Sequence, residues 1–243
     1  MKLLIDAGNS RLKWAWWNGT ALGEAAAAAN AGMEFSALWK NGQRADAVWI
    51  ASVASAAADA VLAHAVRGRF GVTPVFVATR AQACGVRIAY AEPAELGVDR
   101  FLGLIAAHAQ AGTAVVVAGC GTALTLDALS ADGTHLGGLI AAGPELAQSA
   151  LRGGTARLAS VPAGRVTEIA DNSADAIESG TWLSAAALVE RFQARAERQV
   201  GSAPALILTG GGAWRLSALL DAPHRVDAEL VLRGLAMLAE APD

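Results

Sequence analysis

"LLIDAGNSRL", residues 3–12, is an apolar run that reaches Asp6, turns through Gly8, Asn9 and Ser10, and leaves through Arg11. Lys2 to Asp6 reads as a strand. Arg11 to Trp17 reads as a second, because Leu12, Trp14 and Trp16 alternate with Arg11, Lys13 and Ala15 and so share one face. A carboxylate at a strand end, followed at once by small residues, admits two readings. In one, Asn9 and Ser10 simply make a tight hairpin. In the other, the lack of bulky side chains over Asp6-Ala7-Gly8-Asn9-Ser10 lets backbone N–H groups approach an anion. Asp6 then holds Mg²⁺ directly or through water, and Lys13 adds a positive charge one short strand away. These residues alone leave both readings open.

Outward from this hairpin, Asn18-Gly19 marks a turn, and the alanine tract 23–32 reads as strand and loop with no function attached. "DAVWIASV" (46–53) reads as a buried strand, Ser55 to Arg69 as a helix, "TPVFVAT" (73–79) as a strand and Gly97 to Gln110 as a helix. The pattern then starts over. "TAVVVAGCGTALTLDAL" (113–129) is again strand, glycine turn and strand, and a turn at Asp132-Gly133 leads to a third strand. Helices are expected at Pro144 to Arg152, Ser173 to Val200 and about Glu229 to Glu240, with a strand at 205–210 before Gly210, Gly211 and Gly212. The expectation is an α/β protein of two hairpin-first lobes, residues 1–112 and 113–243.

The second lobe repeats the physics of the first at Gly119-Cys120-Gly121-Thr122, where small residues at a strand-to-strand turn accompany a hydroxyl able to donate to phosphate. A third glycine turn, Thr209 to Gly212, precedes a short helix and suits a nucleotide phosphate or close packing against a base. Each has a plain structural reading too. Asp99 and Arg100 fall near the start of an amphipathic helix with Phe101, Leu102 and Ile105 facing inward, where an aspartate often serves only as a cap. Yet a strand-end Asp for metal and nucleotide, plus a separate Asp able to accept a hydroxyl proton, is the minimum for transfer from ATP to an alcohol.

Composition narrows the partners. The chain has 243 residues, 54% of them hydrophobic, enough for one large or two ordinary cores. With 19 Lys and Arg against 22 Asp and Glu, the net charge of -3 gives no electrostatic reason to expect nucleic acid or an anionic membrane. No stretch approaches the roughly 20 apolar residues of a membrane span, and no leader pattern opens the chain, so a soluble cytoplasmic protein is expected. Cys84 and Cys120 are too far apart in sequence for a disulfide framework or zinc pattern, and His64, His108, His135 and His224 lack metal-ligand spacing.

Four segments taken in order carry a resemblance: "LLIDAGNSRLKW", "GVRIAYAEPAELGVDRFLGLIAA", "GTALTLDALSADGTHLGGLIAAG" followed by "LRGGTARL", and "LTGGGA". Across most of its length the chain resembles the type III pantothenate kinases, and especially the Bvg accessory factor-like subgroup. The resemblance implies two ribonuclease H-like lobes of the acetate and sugar kinase/Hsp70/actin superfamily. It also implies ATP-dependent phosphorylation of pantothenate to 4'-phosphopantothenate, the first step towards coenzyme A. Carried over by motif, Asp6, Ala7, Gly8, Asn9, Ser10, Arg11, Leu12 and Lys13 form the first phosphate loop, with Asp6 serving Mg²⁺ and ATP. Thr122 makes the second phosphate contact. Tyr90, Gly97, Val98, Asp99 and Arg100 form the pantothenate pocket, Asp99 being the proton acceptor, and Thr181 in "AIESGTW" is a further substrate contact. A second subunit is implied to complete the pocket, hence a homodimer.

One position departs from the family pattern. Where the resemblance leads one to expect an aspartate two residues before Gly121-Thr122, associated with bound K⁺ or NH₄⁺, this chain has Gly119. Glycine offers no side-chain oxygen, which leaves carbonyls or water as replacements. The departure puts the cation requirement in question and motivates the alternative of a catalytically impaired, nucleotide- and pantothenate-binding regulatory protein on the same fold.

Overall fold

A computed structural model of the chain describes residues 1–29 and 44–241. It falls into two compact units, Met1–Gln110 together with Glu229–Asp243, and Ala111–Ala228.

Unit 1 is built on strands β1 (Lys2–Ala7), β2 (Arg11–Trp17), β3 (Ala26–Ala29), β4 (Ala47–Ser52) and β5 (Val75–Val77), in the order β3-β2-β1-β4-β5. The β1–β2 hairpin is antiparallel, with Asp6 opposite Lys13, while β4 and β5 continue in parallel. Helix α1 (Ala56–Phe70) makes the crossover. It is capped by the Ser55 hydroxyl, which accepts the Ala58 N–H at 3.3 Å, and ended by Gly71 at φ 70°. Leu3, Ile5, Val48, Ile50, Leu62 and Val66 form its core on one side of the sheet, with Trp14 and Trp16 packed at the edge. A two-stranded hairpin, β6 (Gln82–Ala83) and β7 (Val86–Arg87), and a 3₁₀ turn (Pro93–Glu95) lead into α2 (Val98–Ala111).

Unit 2 repeats the plan. Strands β8 (Val115–Cys120), β9 (Ala123–Leu129), β10 (His135–Ala142), β11 (Ala205–Thr209) and β12 (Arg225–Val226) are ordered β10-β9-β8-β11-β12. The hairpin β8–β9 is antiparallel and β11 and β12 are parallel to β8. Helices α3 (Pro144–Gly154), α4 (Ser173–Val200) and α5 (Ala213–Ser217) complete it. Helix α4 starts at Asn172, whose side chain accepts the Asp175 N–H, and stops at Gly201 in the left-handed region, φ 79°. Trp182, Ala185 and Val189 of α4 and Ala213 and Leu216 of α5 pack against Val116, Ala118, Leu126, Leu206 and Leu208. His135, fully buried, meets the buried Asp127 at 3.0 Å across β9 and β10.

The expected helices and long strands lie within a few residues of their sequence positions, but three features differ. The expected lobe 113–243 loses its end to unit 1. The C-terminal helix Leu230–Glu240 packs on β1, β2 and β4, and Lys2 Nζ donates to the Ala239 carbonyl at 2.6 Å and to Glu240 at 2.8 Å. This helix also crosses α2 so closely that a Cβ at Gly234 would lie 2.0 Å from the Leu102 carbonyl oxygen. Helix α2 is accordingly buried on all sides from Phe101 to Ala107 rather than on one face. Ala15, on the face of β2 shared with Arg11 and Lys13, is fully buried. Of the alanine tract, Ala26–Ala29 forms edge strand β3, while its last three residues, from Asn30, lie outside the described residues.

Candidate active site

In unit 1 the β1–β2 turn is closed by the Gly8 N–H donating to the Arg11 carbonyl at 3.0 Å. A side chain at Gly8 would press on that carbonyl, its Cβ 3.2 Å away. Asn9, Ser10 and Arg11 are exposed at the tip, Gly8 and Lys13 are half-buried, and Ala7 and Leu12 are buried. The last two belong to the core that supports the loop. Asp6 sits one residue before the strand end. Burial pushes its pKa up to about 7, the nearby Asp99 carboxylate pushes in the same direction, and Lys13 opposes them. The fold therefore brings Asp6, Lys13 and Asp99 together from β1, β2 and α2.

Asp99 lies in the first turn of α2, where its Oδ1 accepts the Arg100 N–H at 2.8 Å. A carboxylate there also complements the helix dipole. Gly97 makes the arrangement possible: a Cβ at that position would stand 2.7 Å from Asp99 Oδ1. Val98 is buried beneath the turn. Arg100 is buried, and its guanidinium lies 5.8 Å from the Tyr90 ring centroid, with both terminal nitrogens 3.4 Å from the phenol oxygen. Gly97, Asp99, Arg100 and Tyr90 thus form one cluster.

In unit 2 the β8–β9 turn exposes Gly121 and Thr122, with the Gly121 N–H donating to the Ala123 carbonyl at 2.9 Å. Gly119 pairs with Thr125 on β9 and with Thr209 on β11. A Cβ at Gly119 would fall 2.6 Å from Thr125 Oγ1, so a hydroxyl stands where a side chain at 119 would begin. The third glycine turn is pressed onto the same loop. The Gly212 N–H donates to the Cys120 carbonyl at 2.9 Å, and a Cβ at Gly210 (φ 91°) would lie 2.4 Å from that oxygen. Cys120 is buried beneath it, its thiol pushed up to about 11 by burial and by Glu145.

Thr181 is buried in α4. Its hydroxyl is within bonding distance of the Ile177 and Glu178 carbonyls, at 2.9 and 3.0 Å, and accepts from Gln148 Nε2 at 3.0 Å. It lines a cavity of about 600 Å³ whose other walls include Leu124, Ala141, Leu151, Ile177 and Leu188. Sequence reasoning did not single out Thr125, Gln148, Glu178 or Arg215. None carries a local signal, since each acquires its place from a partner on another element.

A family profile described as type III pantothenate kinase matches residues 2–195. The type III pantothenate kinase of Xanthomonas euvesicatoria pv. vesicatoria is 43% identical over 245 residues, covering 98% of this chain and 97% of the relative. The chain belongs to the type III pantothenate kinases. Among solved structures, a conserved Baf family protein of Campylobacter jejuni is similar at a TM-score of 0.62 with 18% identity, covering 98% of this chain and 97% of that one. Component A of the Acidaminococcus fermentans (R)-2-hydroxyglutaryl-CoA dehydratase follows at 0.52 and 13%, covering 99% and 96%. These two likenesses speak to fold alone, which here is two α/β units, each built on a five-stranded sheet of matching strand order.

The candidate site residues differ in how they suit the two ions the family implies. Asp6 and Asp99 are mutually repulsive, and no group of three or more His, Cys, Asp or Glu converges among the described residues. That donor set fits Mg²⁺, which is commonly held by one or two carboxylates and completed by substrate phosphate and water. The monovalent ion is different. Gly119 brings no side-chain oxygen, and Thr125 Oγ1 fills the start of the space an aspartate would use, so the residues do not fit a K⁺ or NH₄⁺ site built on a carboxylate.

Proposed function

We propose that this kinase transfers the γ-phosphoryl group of ATP to the primary hydroxyl of pantothenate, giving ADP and 4'-phosphopantothenate for coenzyme A synthesis. The observation that carries the reading is the approach of Asp99 to Asp6 at the first phosphate turn, with Arg100 and Tyr90 beside them. Asp99 accepts the proton of the hydroxyl as its oxygen bonds to the γ-phosphorus, and the bond from that phosphorus to the β-phosphate bridging oxygen breaks. Arg100 and Tyr90 hold the substrate's polar groups, with Gly97 and Val98 shaping the turn around them. Backbone N–H groups of the Ala7–Leu12 segment and the Thr122 hydroxyl receive phosphate oxygens. Mg²⁺ held at Asp6 would supply charge neutralisation of the phosphates. Positioning and electrostatics of this kind account for most of the catalysis in phosphoryl transfer.

Thr181 contributes to the substrate pocket in this reading, and a second copy of the chain completes it. Support for a homodimer comes from unit 2, where Leu139 and Ile140 of β10 and Leu146 and Leu151 of α3 are exposed beside the apolar cavity that Thr181 lines. Small-molecule partners, rather than nucleic acid or an anionic membrane, accord with the net charge of -3, and a cytoplasmic location belongs to the same reading. Among the described residues no helix is long and apolar enough to cross a membrane.

The decisive experiment is ADP formation by the purified protein with MgATP, with and without pantothenate, in K⁺, NH₄⁺ or Na⁺, using Asp99→Asn as the blank. Pantothenate-dependent turnover absent from the blank is the expected result. Gly119 is the one observation favouring a regulatory protein, and no turnover in any salt with pantothenate still bound would establish that reading instead. Light scattering after size exclusion tests the dimer.

A further inference from the structure

Helix α5 turns its residues to three different fates. Ala213 and Leu216 are fully buried in the unit 2 core. Arg215 swings to α4, where it bonds the buried Glu178 and lays its guanidinium 4.4 Å from the centroid of the Trp182 ring. Trp214 remains 70% exposed, the one exposed tryptophan among the described residues. At about 100° per residue, Trp214 points a little over a quarter turn away from the direction in which Arg215 reaches α4.

The position of that indole is set tightly. Gly212 is hydrogen-bonded to the Cys120 carbonyl, and a Cβ there would lie 2.7 Å from Cys120 Sγ and 3.2 Å from Trp182 Cη2. The turn is therefore clamped between the second phosphate loop and Trp182, and Arg215 pins the helix that follows. Two residues of chain span at most about 7 Å, so the base of Trp214 is held within one nucleotide's length of the loop Gly119–Thr122. A large, exposed aromatic plane held near a phosphate loop is suited to a purine. Every base has a π-face, so such a platform binds without reading the base edge.

We propose that Trp214 stacks on the base of the nucleotide whose phosphates meet Gly121 and Thr122. The inference rests on the ATP-dependent reading above and deepens it by naming a residue that holds the base by its π-face, without reading the base edge. Trp214 contacts neither the transferred phosphoryl group nor pantothenate.

The test measures MgATP affinity by calorimetry, and KM for ATP and pantothenate by ADP formation, in the full-length protein and in Trp214→Ala, Trp214→Phe and Trp214→Leu. The alanine variant is expected to weaken ATP affinity and raise its KM about tenfold, with kcat and the pantothenate KM within about twofold of wild type. Phenylalanine restores most of the loss and leucine does not, a distinction that lost packing alone would not produce. ATP affinity unchanged in Trp214→Ala, or leucine as effective as phenylalanine, overturns the stacking role. So does a dimer-to-monomer shift with unchanged ATP affinity, which assigns the indole to a subunit contact. If the wild type fails to turn over pantothenate yet binds ATP more tightly than Trp214→Ala, the kinase reading falls and the stacking stands. A wild type that binds no ATP overturns both.

Discussion

The turn after β1 and the turn after β8 occupy the same place in two sheets of matching strand order, yet their chemistry differs at the residue before the strand end. In the first, that residue is Asp6, paired across the hairpin with Lys13 and repelled by Asp99. In the second it is Gly119, paired with Thr125, whose hydroxyl fills the space a side chain would enter. One hairpin concentrates charge and is suited to a metal-bound phosphate. The other is neutral and compact, suited to close backbone approach. The repeated strand plan supplies two turns, and a single residue in each decides what the turn can hold.

The largest expected effect tests the charged turn. Asp99→Asn lowers kcat by about 10³-fold and leaves ATP binding largely intact, as calorimetry on the purified variant would show. Equal loss of both would mean that Asp99 serves binding rather than proton transfer.

Asp6→Asn comes next, with kcat/KM for MgATP lower by about 100-fold. The same substitution has a second, opposite effect on stability. The folded-state pKa of Asp6, about 7, lies above the ordinary 3.8, so the folded state keeps a proton that the unfolded chain has released. Its contribution is fully present below the unfolded value and is lost as pH rises through the folded one. In metal-free buffer, the Tm of Asp6→Asn relative to wild type should therefore climb between about pH 4 and pH 7 and level off above. A relative Tm that falls over this window would mean Lys13 outweighs burial and Asp99.

Gly97→Ala places a methyl group against the Asp99 carboxylate, and kcat should drop about tenfold with the KM for ATP unchanged. A normal kcat would show that Asp99 can turn without cost.

The neutral turn gives the smallest effects. Exchanging K⁺ for Na⁺ should alter wild-type turnover by less than about twofold, because no carboxylate is present to order the ion. Gly119→Ala should cost about 1 kcal/mol in urea unfolding, as Thr125 is forced to rotate. Gly119→Asp should make turnover cation-dependent, and a strong K⁺ requirement already present in the wild type would erase the contrast between the two turns.

Much of this was legible in local sequence. The hairpins, the glycine stops of α1 and α4 and the proximity of Asp99 to Arg100 depend on neighbours a few residues away, and propensity reads those well. Strand β12 and the hairpin β6–β7, two residues per strand, are too short to carry a period. The association of the C-terminal helix with unit 1 was not legible either. It depends on Gly234 permitting backbone contact with Leu102 and on Lys2 reaching Glu240, pairs separated by well over a hundred residues.

Sequence by itself determined the two hairpin-first sheets and the family, because periodicity, turn chemistry and motif spacing are local. Tertiary structure alone decided that Asp6 feels Asp99, that Thr125 closes the space beside Gly119, and that Trp214 stays exposed while Arg215 is drawn to Glu178 and Trp182. Burial, repulsion and steric exclusion act through space, and their strength follows from which distant segments the fold brings within a few ångströms of one another.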